Sequence, residues 1–333
     1  MNEFLFGILE WINGWVGNYG WAMVVFTVLI RLVLTPLDVK SRISMRKTSK
    51  LQPQLAALQK KYANDKEKLN QKTAELYKKE HINPLSSCLP LLLTWPILIA
   101  VFGAMRTAAN RELLQQITQL LNKEAPTLEP WLWIKNLWMP DSLFSPAYPD
   151  LNTMRQISAA EWLQWFRGLD QAQLPALLQG MGLTEAHFGS DQLQATVQTI
   201  QNALAVGNPA YAEALTVPQG MSINLLITQV NLVRDYNGLM LLPILSAVSQ
   251  IAMTKLTGAQ GPQQDQTQAT TGKFMMWFFP IFSLVLCFSY SSAFALYWVA
   301  GNVVSMVQTL VINRVLDDKE KNKAAVAGEG SVK

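Results

Sequence analysis

Five long apolar blocks run through an otherwise polar chain. A helix that crosses a bilayer needs about 20 predominantly apolar residues, and the blocks approach this length at residues 17–37, 85–105, 237–256, 273–290 and 293–315. Only a tight turn fits between the last two blocks, so these two must run antiparallel. The pattern predicts an all-α, polytopic membrane protein with five transmembrane helices.

Polar and amphipathic segments occupy the spaces between the blocks. Apolar residues at the start of the chain share one helical side, which predicts a helix at the membrane interface. Leucines in two stripes predict a helical hairpin, and glycines and prolines divide the longest segment into short amphipathic helices. The segments are an interfacial helix at 1–16, a hairpin at 38–84, an external helical region with an insertion at 106–236, a linker at 257–272 and a tail at 316–333.

The distribution of charge predicts the orientation of the chain. Half of its 333 residues are hydrophobic and only 15% are charged, as in membrane proteins. Segment 38–84 has twelve basic and five acidic residues, whereas segment 106–235 has seven basic and eleven acidic residues. Because cytoplasmic loops are enriched in lysine and arginine, the first loop and the tail are predicted to be cytoplasmic and the N-terminus external.

Two further features bear on location and partners. The chain has neither a lipidation motif nor an arginine-rich transit sequence, which favours a bacterial plasma (inner) membrane over an organelle. The net charge of +4 belongs to the membrane-facing loop. It is therefore no argument for binding a specific nucleic acid.

One cation, Arg31, lies inside the first block, in the sequence WAMVVFTVLIRLVLTP. A charge near the bilayer centre costs at least about 2.5–3.5 kcal/mol on insertion scales, and it usually faces a bundle interior or a water-filled cavity. Thr27 and Thr35 lie one helical turn to either side and extend a polar stripe. The alternative interpretation is that the long stem of Arg31 carries the charge to the nearer interface.

Other polar residues recur inside the second, third and fifth blocks. Each alone is more often a contact between helices than a binding group. Together with Arg31 they predict the polar lining of a groove within the bundle. The predicted lining consists of Thr27, Arg31, Thr35, Thr94, Trp95, Ser246, Gln250, Trp298, Asn302 and Ser305.

Four basic residues follow the first block, namely Arg42, Arg46, Lys47 and Lys50. They are typical of a solvated face that obeys the positive-inside rule. They are equally typical of a docking surface for anionic lipid headgroups or for an acidic or RNA-rich partner. The residue pattern leaves both interpretations open.

Several kinds of chemistry lack the residues they need. No acidic residue, lysine or histidine lies in the middle of a span, so the relay of a proton-coupled transporter is missing. His81 and His187 have no metal or catalytic partners by spacing, and no nucleophile elbow, phosphate loop or zinc motif is present. We therefore expect no catalytic residue, no metal and no cofactor. A small transporter or channel is the first alternative function, and an intramembrane enzyme is the second.

A set of motifs in this order resembles the YidC/Oxa/Alb family of membrane protein insertases. The motifs are RLVLTPL with Arg31, KLQPQLAALQKKYANDKEKL in the hairpin, NPLSSCLPLLLTWPI, LLPILSAVSQ, and ALYWVAGNVVSMVQ in the last block. They cover the first, second, third and fifth blocks and the hairpin. The chain departs from the family in an insertion at about 144–235 and in a short, nearly charge-balanced tail, which argues against direct ribosome binding by that tail.

The resemblance implies an insertase and folding chaperone for nascent membrane proteins that works in the lipid bilayer without a cofactor. It also implies a groove that is open to the cytoplasm and to lipid but closed on the outside. Arg31 would be the cation of this groove, and Gln250 and Trp298 match groove-lining positions. The Sec translocon, the ribosome and the signal recognition particle pathway are further candidate partners.

Overall fold

The computed structural model describes residues 2–80, 89–169, 178, 180–189, 191–217, 222–224, 229–258 and 266–330. The chain divides into two compact units. The first unit comprises Met1–Val25, Ala100–Leu245 and Leu284–Tyr297. The second unit comprises Phe26–Ile99, Ser246–Ser283 and Trp298–Lys333.

Helices dominate the described part of the chain, which confirms the predicted all-α class. The helices are α1 (Asn2–Val16), α2 (Tyr19–Lys50), α3 (Gln52–Lys61), α4 (Lys66–Lys79), α5 (Leu89–Leu121), α6 (Leu151–Met154), α7 (Ala159–Gly168), α8 (Leu193–Gly207), α9 (Pro209–Ala214), α10 (Leu241–Gly258), α11 (Gln266–Ser289) and α12 (Ser292–Gly330). A 3₁₀ turn spans Glu185–Phe188. One small antiparallel sheet was not predicted, in which β1 (Ser222–Asn224) pairs with β2 (Gln229–Asn231).

Two of the described helices, α2 and α12, are long and apolar enough to cross a membrane. Both expose large apolar side chains at positions i, i+4, i+7 and i+8, which share one helical face. These side chains are Val25, Leu29, Leu32 and Val33 on α2, and Val303, Val307, Leu310 and Val311 on α12. Such a face suits contact with lipid. Shorter apolar helices occur at Phe4–Val16, Leu241–Leu256 and Trp277–Ser289, and the count of five spans remains a prediction.

The hairpin predicted within residues 38–84 corresponds to a longer α2 followed by the pair α3 and α4. Helix α2 continues through Pro36 as far as Lys50. Helices α3 and α4 contact each other, and Leu55 is buried. Asp65 caps α4 because its carboxylate accepts a hydrogen bond from the backbone N–H of Lys68 at 3.0 Å. The outer limits of the predicted segments remain predictions.

In the first unit, a loop at residues 129–147 caps the beginnings of two helices. The buried carboxylate of Asp141 accepts hydrogen bonds from the backbone N–H groups of Met240 and Leu242, at the start of α10. The carbonyl of Met139 accepts hydrogen bonds from the backbone and the hydroxyl of Ser292, at the start of α12. The first N–H groups of a helix have no partner within it. The loop therefore supplies acceptors that both helices need.

Two buried asparagines hold this loop together. The side-chain Nδ2 of Asn237 donates to the carbonyls of Asn136, Met139 and Pro140 at 2.9–3.1 Å, and its Oδ1 accepts from the backbone N–H of Asn136 at 2.8 Å. The Nδ2 of Asn136 in turn donates to Gln116 and to the carbonyl of Ala147. Both asparagines are fully buried. Unpaired polar groups would be costly there.

Glu112 is a partly buried carboxylate on α5, beyond the predicted second span. Burial raises the pKa of Glu112 to about 7, and the negative charges of Glu129 and Glu10 act in the same direction. The positive charge of Arg111 opposes this increase in pKa. Glu10 accepts a hydrogen bond from the hydroxyl of Tyr19 at 2.5 Å. The first unit thus gathers three carboxylates in one region.

Replacing Asn237 with alanine should destabilise the first unit strongly. The change removes the donor for three buried carbonyls and the acceptor for the Asn136 N–H, and we expect a loss of about 2–4 kcal/mol in the free energy of unfolding. Chemical unfolding followed by tryptophan fluorescence measures this loss, because Trp133 and Trp138 lie in the same loop. The control is Asn202→Ala, at an exposed position of α8. Similar effects of the two substitutions would contradict the capping role.

The raised pKa of Glu112 predicts a pH dependence of stability. A carboxyl group that is more acidic in the unfolded chain than in the folded chain destabilises the fold when it ionises, so stability should increase as the pH falls from about 8 to about 5. Because Glu112 is partly exposed, we expect a change of only about 1–2 kcal/mol.

Thermal unfolding of wild type and Glu112→Gln between pH 5 and 8 measures this dependence. The variant should be more stable than wild type at pH 8, with little difference at pH 5. Glu124→Gln, which removes an exposed carboxylate at the end of α5, is the control. If wild type and Glu112→Gln respond equally to pH, another group is responsible.

Candidate functional site

The described residues of the predicted groove belong to the second unit. Thr27, Arg31 and Thr35 lie on α2, Ser246 and Gln250 on α10, and Trp298, Asn302 and Ser305 on α12. Thr94 and Trp95 fall on α5, but their side chains lie outside those that the structure describes. The site can therefore be followed on α2, α10 and α12.

Arg31 lies against the backbone of α12 at Gly301. A Cβ atom at Gly301 would lie 3.2 Å from Nη2 and 3.7 Å from Nε of the guanidinium, and 3.8 Å from Cγ2 of Thr27. The first of these distances is tighter than ordinary van der Waals contact. The absence of a side chain at Gly301 thus lets the guanidinium of α2 approach α12 closely. Arg31 and Thr27, two residues of the predicted lining, thus both lie next to Gly301, which the sequence analysis did not single out.

The charge of Arg31 is not neutralised by an ion pair within the described part of the chain. Asp38, seven residues further along α2, interacts with Arg31 electrostatically but forms no ion pair with it. Arg31 itself is half-buried. A partly exposed cation in an apolar helix, with no paired carboxylate among these residues, can attract an anionic group from outside.

Gln308 connects α12 to the backbone of Arg31. Its Nε2 donates to the carbonyl of Arg31 at 3.0 Å and to Oγ1 of Thr35 at 2.7 Å. The hydroxyl of Thr35 donates to the same carbonyl at 3.0 Å. Since a carbonyl only accepts hydrogen bonds, this arrangement fixes which end of the Gln308 amide faces α2. The contact lies next to Pro36, which has no N–H to donate within α2.

A second contact joins α12 to α10. The Nδ2 of Asn302 donates to Oγ of Ser249 at 3.0 Å, and Ser249 donates to the carbonyl of Ser246 at 3.0 Å. Asn302, Ser246 and Ser249 are all buried. Asn302 directly follows Gly301 in α12. Gly301 faces α2, whereas Asn302 faces α10. Asn302, which the sequence predicted as lining, acts here as a contact between helices, and the backbone carbonyl of Ser246 holds its partner Ser249 in place within α10.

The remaining predicted residues differ in their surroundings. Oγ of Ser305 is buried and has no hydrogen-bond partner among the described residues. Gln250 and Trp298 are half-buried on α10 and α12. Their role in a groove remains a prediction, as does that of Thr94 and Trp95.

Most of the predicted basic docking residues contact α12. Arg42 donates to Oγ1 of Thr309. Arg46 pairs with Asp317 at 2.6 Å and donates to the carbonyl of Asn313 at 3.0 Å, and Lys50 pairs with Glu320 at 2.9 Å. These contacts advance in the same direction along both helices, so α2 and α12 run parallel. Of the four residues, Lys47 alone has no such contact among the described residues.

Sequence reasoning missed Gly301 as a site residue and left Gln308 outside the predicted lining. A signal was nevertheless present. Gly301, Ser305 and Gln308 recur at i, i+4 and i+7, which is one face of a helix. A small residue on a polar stripe of a membrane helix indicates close approach by a neighbouring helix.

Comparison with known proteins identifies related sequences along most of the chain. The family described as "60Kd inner membrane protein" matches residues 11–320. The membrane protein insertase YidC of Fusobacterium nucleatum is 45% identical over 107 residues, which cover 32% of this chain and 52% of the relative. Those of Thioalkalivibrio sulfidiphilus and Aromatoleum aromaticum are 40% and 39% identical over 42% of this chain. The matched region spans about half of the first relative and 23% of the other two.

A double-mutant cycle between Gln308→Ala and Thr35→Val tests the contact between α12 and α2. Because a hydrogen bond couples the two side chains, the two substitutions together should cost less stability than the sum of the single effects, by about 0.6–1.7 kcal/mol. Unfolding by sodium dodecyl sulfate in mixed micelles measures each variant. Ser283→Ala, whose hydroxyl donates to Pro280 within α11, should combine additively with Gln308→Ala. If Gln308→Ala and Thr35→Val also combined additively, the contact between α12 and α2 would be ruled out.

Proposed function

Because the chain belongs to the 60Kd inner membrane protein family, we propose that it inserts newly made membrane proteins into the bilayer and assists their folding. The relatives reported above carry the name membrane protein insertase, which supports the assignment. In this proposal the protein acts without a cofactor and forms no covalent intermediate. Its substrates are nascent membrane proteins, and its site of action is the inner membrane of a bacterium.

The observation that carries the mechanism is the half-buried guanidinium of Arg31 beside Gly301. A polar external segment of a nascent protein must leave water before it crosses the membrane, and this desolvation is costly. A fixed cation lowers the cost for an acidic segment, because the attraction between charges increases as the dielectric constant falls. We propose that Arg31 holds such a segment within a polar groove while the adjoining hydrophobic helix partitions into lipid.

The groove proposed here has two kinds of residue. Arg31 is its cation, and Thr27, Thr35, Thr94, Trp95, Gln250, Trp298 and Ser305 are proposed as its polar and aromatic lining. Asn302 supports it by joining α12 to Ser249 of α10, and the carbonyl of Ser246 orients the Ser249 hydroxyl within α10. Gly301 and Gln308 keep α2 close to α12, so the position of the cation depends on them.

A short hydrophobic path would lower the remaining barrier. The apolar run of α11, Phe274–Ser289, has 16 residues and is about 24 Å long at 1.5 Å per residue. The hydrocarbon core of a bilayer is about 30 Å thick. A helix shorter than the core can thin the bilayer around it. We propose that such thinning shortens the distance over which polar backbone must move.

The proposed arrangement in the membrane follows the distribution of charge. Five helices span the bilayer, the N-terminus is external, and α3, α4 and the tail are cytoplasmic. In this orientation Arg42, Arg46, Lys47 and Lys50 lie at the cytoplasmic surface, where substrates arrive. The Sec translocon, the ribosome and the signal recognition particle pathway are proposed as sources of those substrates. The external segment 144–235 is proposed as an addition to the insertase.

Removal of the Arg31 charge should impair insertion of substrates that have an acidic external segment. The assay uses the full chain in liposomes and a single-spanning substrate whose external tail carries either aspartates or asparagines at the same positions. One charge-assisted interaction is worth about 1.5–3 kcal/mol, so Arg31→Ala should slow insertion of the acidic substrate on the order of tenfold. The neutral substrate should be affected much less, and Arg31→Lys should retain part of the activity.

Arg234→Ala is the matched control, because it removes a cation from an exposed ion pair with Glu213 in the first unit. It should leave insertion of both substrates unchanged. Full activity of Arg31→Ala and Arg31→Lys on the acidic substrate would refute the electrostatic mechanism. Equal losses for acidic and neutral substrates would point to a structural role of Arg31 instead.

A further inference from the structure

A cavity of about 540 Å³ lies between the C-terminal parts of α2 and α12, within the second unit. Ile43 of α2 and Leu316 of α12 contribute apolar surface to it. Four cations line it as well, namely Arg46, Lys47, Lys50 and Lys319. Glu320 is the acidic residue of its lining. The cavity therefore combines an apolar wall with a positively charged edge.

The four cations differ in whether their charges are already satisfied. Arg46 pairs with Asp317 and Lys50 pairs with Glu320. Lys47 and Lys319 are exposed, and neither forms an ion pair within the described part of the chain. They belong to different helices but line the same cavity. Two ammonium groups are thus available to one anionic ligand.

The mixed character of the cavity selects among anionic ligands. An acidic peptide or an RNA would meet the lysines but would leave Ile43 and Leu316 in contact with polar groups. Ile43 is 38% exposed. An apolar side chain is therefore accessible beside the cations that line the cavity. The carbon stems of lysine and arginine extend the apolar surface toward their charged ends. A ligand with one anionic end and one hydrocarbon end fits both parts.

The level of the cavity along α2 agrees with the headgroup layer of a membrane. A hydrocarbon core of about 30 Å takes about 20 residues at 1.5 Å per residue. Counted from Tyr19, where α2 begins, the core ends near Asp38, and Ile43 follows about 8 Å further on. The headgroup layer adds about 5–8 Å on each side. Lys47 lies about 6 Å beyond Ile43 along the helix, a distance that the long lysine stem can cover when it turns back toward the membrane.

We propose that this cavity binds one anionic phospholipid of the inner leaflet. The phosphate contacts Lys47 and Lys319, the glycerol lies against Ile43 and Leu316, and the acyl chains run from there along α2 into the hydrocarbon core. The lipid then bridges α2 and α12, the two helices whose contact holds Arg31 beside Gly301. The site rests on the proposed orientation of the chain but not on its insertase activity.

Native mass spectrometry of the full chain, with equal amounts of phosphatidylglycerol and phosphatidylcholine of the same acyl chains, tests the site. Wild type should retain phosphatidylglycerol preferentially. Lysines near a membrane surface each contribute to binding anionic lipid, so Lys47→Ala with Lys319→Ala should reduce the preference on the order of tenfold. Lys47→Arg with Lys319→Arg should preserve it, because the charge and the reach remain.

The control is Lys78→Ala with Lys79→Ala on exposed α4, which removes the same charge elsewhere and should keep the preference. Phosphatidylglycerol should also raise the melting temperature of wild type and of this control, but not that of the Lys47 and Lys319 alanine variant. These measurements do not involve insertion, so their failure is separate from failure of the insertase assay.

Four results would overturn the proposal. Equal loss in both alanine pairs would mean that only net charge matters. Displacement of the lipid by millimolar glycerol phosphate would indicate a site for a soluble phosphate, and displacement by an acidic peptide would indicate a protein-binding surface. An unchanged preference in the Lys47 and Lys319 alanine variant would exclude the cavity as the lipid site.

Discussion

The contact of Arg31 with the backbone at Gly301 is the constraint on which the second unit depends. A cation in an apolar helix must find polar surroundings or leave the membrane core. Here α12 accommodates it by omitting a side chain at Gly301, while Gln308 holds the carbonyl of Arg31 itself. The same helix contacts α10 through Asn302. Helix α12 therefore positions both α2 and α10, and its backbone at Gly301 determines where the charge of Arg31 lies.

The first unit meets a different requirement, which is to satisfy backbone groups at helix ends. The loop at residues 129–147 provides acceptors for the beginnings of α10 and α12 through Asp141 and Met139. Asn136 and Asn237 keep this loop in shape. Both units thus depend on a few polar side chains whose hydrogen bonds run between distant parts of the sequence. The apolar residues determine which segments become helices, but these polar contacts determine how the helices meet.

The sequence predicted the helical class well, because it depends on local composition, and it singled out Arg31 for the same reason. An apolar block with one arginine is recognisable without knowledge of its neighbours. The partners of Arg31 were not predictable in the same way, since Gly301 and Gln308 are about 270 residues away along the chain. For the same reason, Arg42 and Arg46 looked like free surface charges, whereas they contact Thr309, Asn313 and Asp317. The β1 and β2 pair is too short to produce a clear alternating pattern.

The Asn237–Gly238 dipeptide has a consequence for the chemical ageing of the protein. Asparagine followed by glycine is prone to deamidation, in which the glycine nitrogen attacks the side-chain amide. In the fold that nitrogen donates to the carbonyl of Ser142 at 3.3 Å, and the amide is held by three other carbonyls. Folding therefore protects the side-chain amide of Asn237, whereas the unfolded chain is exposed to deamidation. A chain that deamidates before it folds would place a carboxylate against those three carbonyls. Deamidation of the unfolded chain would therefore damage the protein irreversibly.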